Sequence, residues 1–305
     1  MKAIDLFAGC GGSTTGAISA GVNVLWAANH WDAAVSIHKK NHPYVLHACQ
    51  DLQQADWRDV PVHDLLLASP ECKGHTKAKG KEKKHHDASR STAWAVVDCL
   101  EYHDTDIAVI ENVKEFVTKW VLYSAWKMAM EALGYSVAPH LIDAADCGVP
   151  QNRERVFIIC TKSKSKISIK LERQEHIPVS SVIEWDRHKW SKINKPGRSK
   201  ATLARIKRGR SEIGDTFVMP YYSNGSGLTG RSIDRPIGTI TTCDRWALVR
   251  GDEMRMFHPS EYRAVMGFDA GYILPDKRKD AVCMLGNAVP PPMMADVINA
   301  IKKAA

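Results

Sequence analysis

Between residues 1 and 162, short apolar segments alternate with helix-like ones, and no other feature constrains the fold as strongly. The apolar segments are 3–7 "AIDLF", 22–28 "VNVLWAA", 63–68 "HDLLLA", 106–111 "DIAVIE" and 155–161 "RVFIICT". Each is short, apolar on both faces and bounded by turn residues, as strands of a covered parallel sheet must be. Helical patterns fall between them, at about 13–20, 32–40, 91–103 and 120–133. The alternation predicts a doubly wound α/β domain. After residue 162 the texture changes. From Arg187 to Arg210 there are ten Lys or Arg and no acid, with Trp185 and Trp190 flanking the start of the run. Glycine and proline then become more frequent, which predicts a second, smaller domain. The tail, 285–305, begins "LGNAVPPP" and ends in an apolar-periodic helix.

The chain has 305 residues and is 44% hydrophobic, enough for a proper core and unlike a disordered chain. Its net charge of +8 suits a polyanionic partner such as nucleic acid. The eight cysteines are scattered, with no CxxC, so they read as reduced thiols of an intracellular protein and offer zinc no paired ligands. The opening "MKAIDLFAG" runs from a strand straight into a glycine turn, so no signal peptide is expected there. No apolar run approaches membrane-spanning length.

Three stretches carry candidate chemistry. "DLFAGCGGSTTG" is a strand, a tight glycine turn and a helix start, a construction that lets backbone approach a ligand and aims N–H groups at it. It is not the dinucleotide fingerprint, because Thr14 stands where the third glycine belongs. A turn that merely packs a helix on a sheet reads equally well. "LASPECKGHT" places Cys72 just past a strand and beside Lys73, where a thiol is exposed and partly deprotonated, although most cysteines are buried structural thiols. Glu111 of "IENV" closes another strand, so in a parallel sheet it emerges at the same carboxyl edge, as an acid or as a helix cap. Arg153 and Arg155 of "QNRER" alternate into a strand and are expected to share one face, in a pocket or on the surface.

Together with "CGVPQNRERVFII" (147–159), "RPIGTIT" (235–241) and "GNAVPPPM" (286–293), these blocks resemble the DNA cytosine-5 methyltransferase family, in its order and near its spacing. The Pro-Glu-Cys loop is similar to that of phage-like members. The resemblance covers most of residues 1–162 and the last fifth of the chain. It implies a Rossmann-like S-adenosylmethionine-dependent methyltransferase domain (1–162 plus 285–305), a small inserted target-recognition domain (163–245) and a connecting helical hinge (246–284). The implied reaction transfers a methyl group from S-adenosylmethionine to carbon 5 of a cytosine flipped out of duplex DNA, leaving S-adenosylhomocysteine.

Each site residue follows from that resemblance. Cys72 is the nucleophile that adds to carbon 6, and Glu111 serves ring nitrogen 3. Arg155 faces the cytosine carbonyl oxygen, Arg153 supports the pocket and catalytic loop, and Asn112 scaffolds the cysteine loop. Phe7, Gly9 and Gly11 belong to the methionine part of the cofactor and the turn. Trp31 packs on adenine, Asp51 of "CQDL" accepts from its amino group, and Leu52, Asn287 and Val289 line the same pocket. Read alone, Trp31 is a core residue. The stretch from Lys73 to Arg90 holds seven Lys or Arg and two acids. Its Lys73, Lys77, Lys79 and Arg90 are expected to close over phosphates. Arg198, Arg205, Arg208 and Arg210 of the basic run are candidate DNA contacts.

Two positions depart from the family. Glu71 puts a negative charge beside the thiol, which Lys73 offsets. His30 replaces the acid that grips the ribose hydroxyls; a neutral histidine accepts one hydrogen bond, and Asn29 or Asp32 can substitute. Two rival readings share the fold: a tRNA cytosine-5 methyltransferase, and a DNA-binding regulator with weak catalysis. The expected setting is a monomer in the cytoplasm of a bacterial or phage-infected cell, associated with the nucleoid. A cognate restriction endonuclease acting independently is a possible companion, and no metal or membrane is called for.

Overall fold

Five consecutive parallel strands form the frame that positions everything else. The computed structural model describes residues 1–71, 92–162, 167–221 and 230–304. The chain divides into two units: Met1–Asp143 with Glu154–Glu172 and Ala288–Ala305, and Ala144–Arg153 with Arg173–Asn287.

In the first unit, seven strands form one sheet: β1 (Lys2–Leu6), β2 (Asn23–Asn29), β3 (Leu46–Cys49), β4 (Leu65–Ala68), β5 (Ile107–Asn112), β6 (Ser136–Asp143) and β7 (Glu154–Thr161). Their order is β3-β2-β1-β4-β5-β7-β6. β7 runs antiparallel to both its neighbours, and the other pairs are parallel. This is the doubly wound α/β sheet that the alternation predicts. The five predicted strands are present. β3 and β6 were not predicted, because both are edge strands without an apolar run. β3 is half-exposed, and β6 contains Pro139, which an edge strand tolerates because the lost N–H costs no ladder bond.

Helices α1 (Gly12–Ser19), α2 (Asp32–Asn41), α3 (Trp94–His103), α4 (Lys114–Lys119) and α5 (Tyr123–Ala132) cover the sheet. On one side Trp126, wholly buried, donates from its indole to the Ala93 carbonyl at 3.0 Å and packs among Phe116, Ile110 and Ile158. The C-terminal helix Pro291–Ala304 packs on α1 so closely that a Cβ at Gly16 would sit 2.4 Å from the Pro291 carbonyl oxygen. Glycine is therefore required there for the close approach, not for a turn.

The second unit holds an antiparallel sheet of β8 (Ser191–Lys192), β9 (Thr216–Pro220), β10 (Trp246–Arg250) and β11 (Glu253–Met256), in the order β8-β11-β10-β9. Helices α6 (Lys200–Glu212), α7 (Pro259–Val265) and α8 (Arg278–Asn287) accompany it. Phe217, Ile206, Met219, Val249 and Met254 form its core. The second unit takes in 246–284, which supplies β10 and β11, together with 144–153. Residues 278–304 are long and apolar enough on average to cross a membrane, but they form two helices interrupted at 288–290 and are mostly buried in the fold.

Candidate active site

The glycine turn leaves β1 at the point where strand order reverses, with β2 on one side and β4 on the other. Ligands bind outside the carboxyl ends of strands at such a switch point. Three residues in a row of five are left-handed: Phe7 (φ 59°), Gly9 (φ 56°) and Gly11 (φ 100°). For a phenylalanine that conformation costs on the order of 1–3 kcal/mol, a strain typical of ligand-binding turns. A Cβ at Gly9 would meet nothing within 4 Å, so the space beyond the turn is open and only the backbone angle calls for glycine. At Gly12 the reason is contact: a Cβ would lie 2.0 Å from the Val289 carbonyl oxygen. Val289 is thereby placed against the turn.

Small residues (Ala8, Gly9, Ala27 and Ala28) line a concavity there, with Asn29, Val35, His38 and His47. Asn29 accepts from the Trp31 N–H at 2.9 Å, so its side-chain oxygen is committed to starting α2. Trp31 is half-buried and His30 and Asp32 are exposed. Asp51 is exposed and accepts from the Gln53 N–H at 3.0 Å, capping a short turn that buries Leu52. Open space over a left-handed turn, a half-buried indole and an exposed carboxylate fit a nucleoside-bearing cofactor. Asn287, exposed, ends α8 in the second unit.

The next strands over bring the reacting groups. The chain leaves β4 at Ala68, buries Pro70 and reaches a half-buried Glu71. Asn112, at the end of β5 and buried, donates to the Pro70 carbonyl at 3.2 Å and accepts from the Val113 N–H at 2.9 Å. Its amide thus fixes the backbone two residues before Cys72. Glu111 is also buried, and Arg155 of β7 meets it through Nε at 3.0 Å. The antiparallel register sets Glu111 opposite Phe157, which brings Arg155 past the strand end to the carboxylate. Cys72, Lys73, Lys77, Lys79 and Arg90 lie outside the described residues.

Arg153 and Arg155 are not a surface pair. Arg153 precedes β7, belongs to the second unit and is 2% exposed. It donates to the Ile240 and Gly286 carbonyls, each at 3.0 Å, tying "RPIGTIT" to "LGN". Its neighbour Gln151, wholly buried, accepts from the Ile240 N–H at 2.8 Å. Gln151 was not singled out from sequence, though it stands in the same block as the two arginines.

The candidate DNA contacts divide. Arg198 donates to the Lys192 carbonyl and the Ser191 hydroxyl, each at 3.1 Å; Arg205 to the Pro220 carbonyl at 2.7 Å; Arg210 to Asp252 at 2.9 Å. These three guanidinium groups hold the second unit together. Arg208 is exposed on α6, as are Lys200 and Lys207. Among the described residues, Glu184, His188 and His258 are close enough to share a metal ion. The two rings stack face to face at 4.0 Å, and Glu184 already takes His188 and Ser260, so the cluster fits a hydrogen-bonded brace better than a metal centre.

Comparison with known proteins agrees with this geometry. The profile of a family described as C-5 cytosine-specific DNA methylase matches residues 1–303. Type II methyltransferase M.SsoII of Shigella sonnei is 26% identical over 98% of this chain and 78% of its own length. Type II methyltransferase M.HhaI of Haemophilus parahaemolyticus is 26% identical over 95% of this chain and 90% of its own. Among solved structures, a putative DNA modification methyltransferase encoded within an E. coli prophage superposes with a TM-score of 0.73 at 17% identity, over 100% of this chain and 99% of that one. A Spodoptera frugiperda DNMT2 mutant superposes with a TM-score of 0.70 at 17% identity, over 99% of both chains.

Proposed function

Because the chain belongs to the C-5 cytosine-specific DNA methylase family, and is on that ground a DNA cytosine-5 methyltransferase, we propose that it methylates a specific short site in duplex DNA through a covalent Cys72 adduct on a flipped-out cytosine. The observation that carries the proposal is the cluster at one sheet edge: Glu111 paired with Arg155, and Asn112 gripping the Pro70 carbonyl two residues before Cys72.

Carbon 5 of cytosine is a poor nucleophile. Addition of the Cys72 thiolate to carbon 6 opens the aromatic system and makes carbon 5 electron-rich, dividing one difficult step into two. Negative charge grows on the ring as the thiolate adds. Glu111 supplies a proton or hydrogen bond at nitrogen 3, and Arg155, fixed against Glu111, faces the ring carbonyl oxygen. Loss of the carbon 5 proton to a solvent base, return of the nitrogen 3 proton to Glu111 and expulsion of the thiolate restore the ring. S-Adenosylmethionine supplies the methyl group as a sulfonium. Phe7, Gly9 and Gly11 would hold its methionine part, Trp31, Asp51 and Leu52 its adenine, and Val289 backs the turn. Asn287 is assigned to the same pocket by family resemblance. His30, Asp32 or the amide N–H groups of Asn29, whose oxygen accepts from the Trp31 N–H, would meet the ribose.

The bacterial Type II relatives support a restriction-modification setting in the cytoplasm, with nucleoid DNA as substrate. Lys73, Lys77, Lys79 and Arg90 on the loop, and Arg208 on α6, are the cations assigned to phosphates. A tritium-transfer assay with DNA and tRNA in competition tests the substrate: label is expected in DNA, and label in tRNA alone would reverse the assignment. Methylation-aware sequencing of DNA from expressing cells then reports the base and the site.

A further inference from the structure

Four side chains beneath the glycine turn form a hydrogen-bonded chain that the proposed chemistry does not use. Asp5 of β1 is wholly buried, and its Oδ2 lies 2.7 Å from the Thr14 hydroxyl of α1. Its Oδ1 has no hydrogen-bond partner among the described residues. The Thr14 hydroxyl lies 3.0 Å from His38 Nε2, and His38 Nδ1 lies 2.8 Å from His47 Nε2. The His47 ring also hydrogen-bonds the Val45 backbone. Beside this chain, His42 stands 3.0 Å from the Thr15 hydroxyl, which donates to the Gly11 carbonyl at 2.7 Å. His38 of α2 and His42, which caps its C-terminus, therefore reach the first turn of α1 at two adjacent threonines.

The direction of the chain follows from counting protons. A carbonyl only accepts, so His47 turns its N–H to Val45, and neutral His47 then offers a bare nitrogen to His38. His38 donates through Nδ1, which leaves its Nε2 bare. The Thr14 hydroxyl has one proton and gives it to that nitrogen. Asp5 Oδ2 must then donate, and a carboxyl oxygen donates only as the acid. Ionised Asp5 would reverse every bond and leave His47 as an imidazolium.

We propose that Asp5 is held as the neutral acid, and that Asp5, Thr14, His38 and His47 are positioning residues whose directed chain fixes the glycine turn for the cofactor. The proposal rests on the reading of that turn as the S-adenosylmethionine site. The surroundings agree with it. Burial pushes the Asp5 carboxyl up to about 7, against the two Thr14 hydrogen bonds that lower it, and pushes His38 down to about 2. Burial, with His47 nearby, lowers His42 to about 4. His47 is lowered by its own burial and by the Lys39 cation, which opposes an imidazolium there. The Thr14 backbone N–H also hydrogen-bonds the Asp5 carboxyl, and Ala27 of β2 and Leu67 of β4 stand opposite Asp5 in the sheet.

The sign of the pH effect is fixed by the raised value. A carboxyl raised in the fold contributes fully below its unfolded value and loses that contribution as pH rises through about 7. Nitrogen-15 spectra of the histidine rings in the full-length protein without cofactor test the chain directly. His38 and His47 are expected as Nδ1–H tautomers at pH 6, in wild type and in Asp5→Asn, whose amide donates in the same sense. A His38 Nε2–H tautomer would overturn the proposal. Calorimetric titration with S-adenosylhomocysteine tests the consequence. Wild-type affinity is expected to fall about tenfold between pH 7 and 8.5, Asp5→Asn to stay level, and Thr14→Val to bind weakly throughout. Equal, pH-independent affinity in all three would refute the positioning role. Absence of binding by wild type at every pH would instead refute the cofactor reading, leaving the tautomers to judge the chain.

Discussion

Each unit contains a buried glutamate paired with an arginine, and the two are built for different ends. In the second unit Glu261 is closed in. Its two oxygens accept from both terminal nitrogens of Arg255, each at 2.7 Å, from the His258 N–H at 2.7 Å and from the Glu184 N–H at 2.9 Å. The same carboxylate completes the capping box of α7. Such a group is saturated by backbone and fork, and joins β11, α7 and the segment around Glu184. In the first unit Glu111 stands at the end of a strand and meets Arg155 through Nε, beside the backbone that leads to Cys72. A carboxylate at a strand's carboxyl end faces the ligand edge of the sheet. Burial and pairing alone therefore do not distinguish a structural acid from a catalytic one. What distinguishes them is position: Glu261 is locked between elements of its own unit, whereas Glu111 stands at the carboxyl end of a parallel strand.

Substitutions at the two acids should separate rate from stability. Glu111→Gln keeps the volume and removes the acid, so turnover should fall by about 10²- to 10⁴-fold while the melting temperature moves little. Single-turnover methyl transfer and a thermal melt, run on the same preparation, check this. A large loss of melting temperature with unchanged turnover would mean that Glu111 is another Glu261. Glu261→Ala leaves Arg255 buried without its partner and should cost about 3–5 kcal/mol of stability, read by urea unfolding. The folded fraction should still bind cofactor, because the turn belongs to the other unit. The smallest contrast is between arginines of the second unit. Arg208→Ala should reduce the slope of log affinity against log salt by about 1. Arg198→Ala should lower the melt instead, since its guanidinium braces β8.

The sequence made the parallel sheet readable because strands covered on both faces are uninterrupted apolar runs. β3 and β6 escaped for the converse reason: an edge strand needs no such run, and Pro139 argues against one. The ligand-edge placement of Glu111 was readable because a strand's end can be located from its apolar run. The different destinations of Arg153 and Arg155 were not. Two residues apart, they hold different units, and that depends on the distant carbonyls of Ile240 and Gly286. Likewise, a run of cations in sequence does not show which ones also brace the fold, as Arg198, Arg205 and Arg210 do. The chain from Asp5 to His47 was invisible because its members come from four separate elements, although His38, His42 and His47 crowd ten residues.

Cys72 is proposed to attack carbon 6 of a cytosine held by Glu111 and Arg155. Duplex DNA carrying 5-fluorocytosine at the methylated site, incubated with the protein and S-adenosylmethionine, tests it most directly, because fluorine cannot leave carbon 5 as the proton does. The expected result is a complex stable to denaturation, with the modified peptide containing Cys72, and no complex from Cys72→Ser. An adduct that persists in Cys72→Ser, or wild-type methylation of ordinary DNA with no trapped complex, would contradict the account.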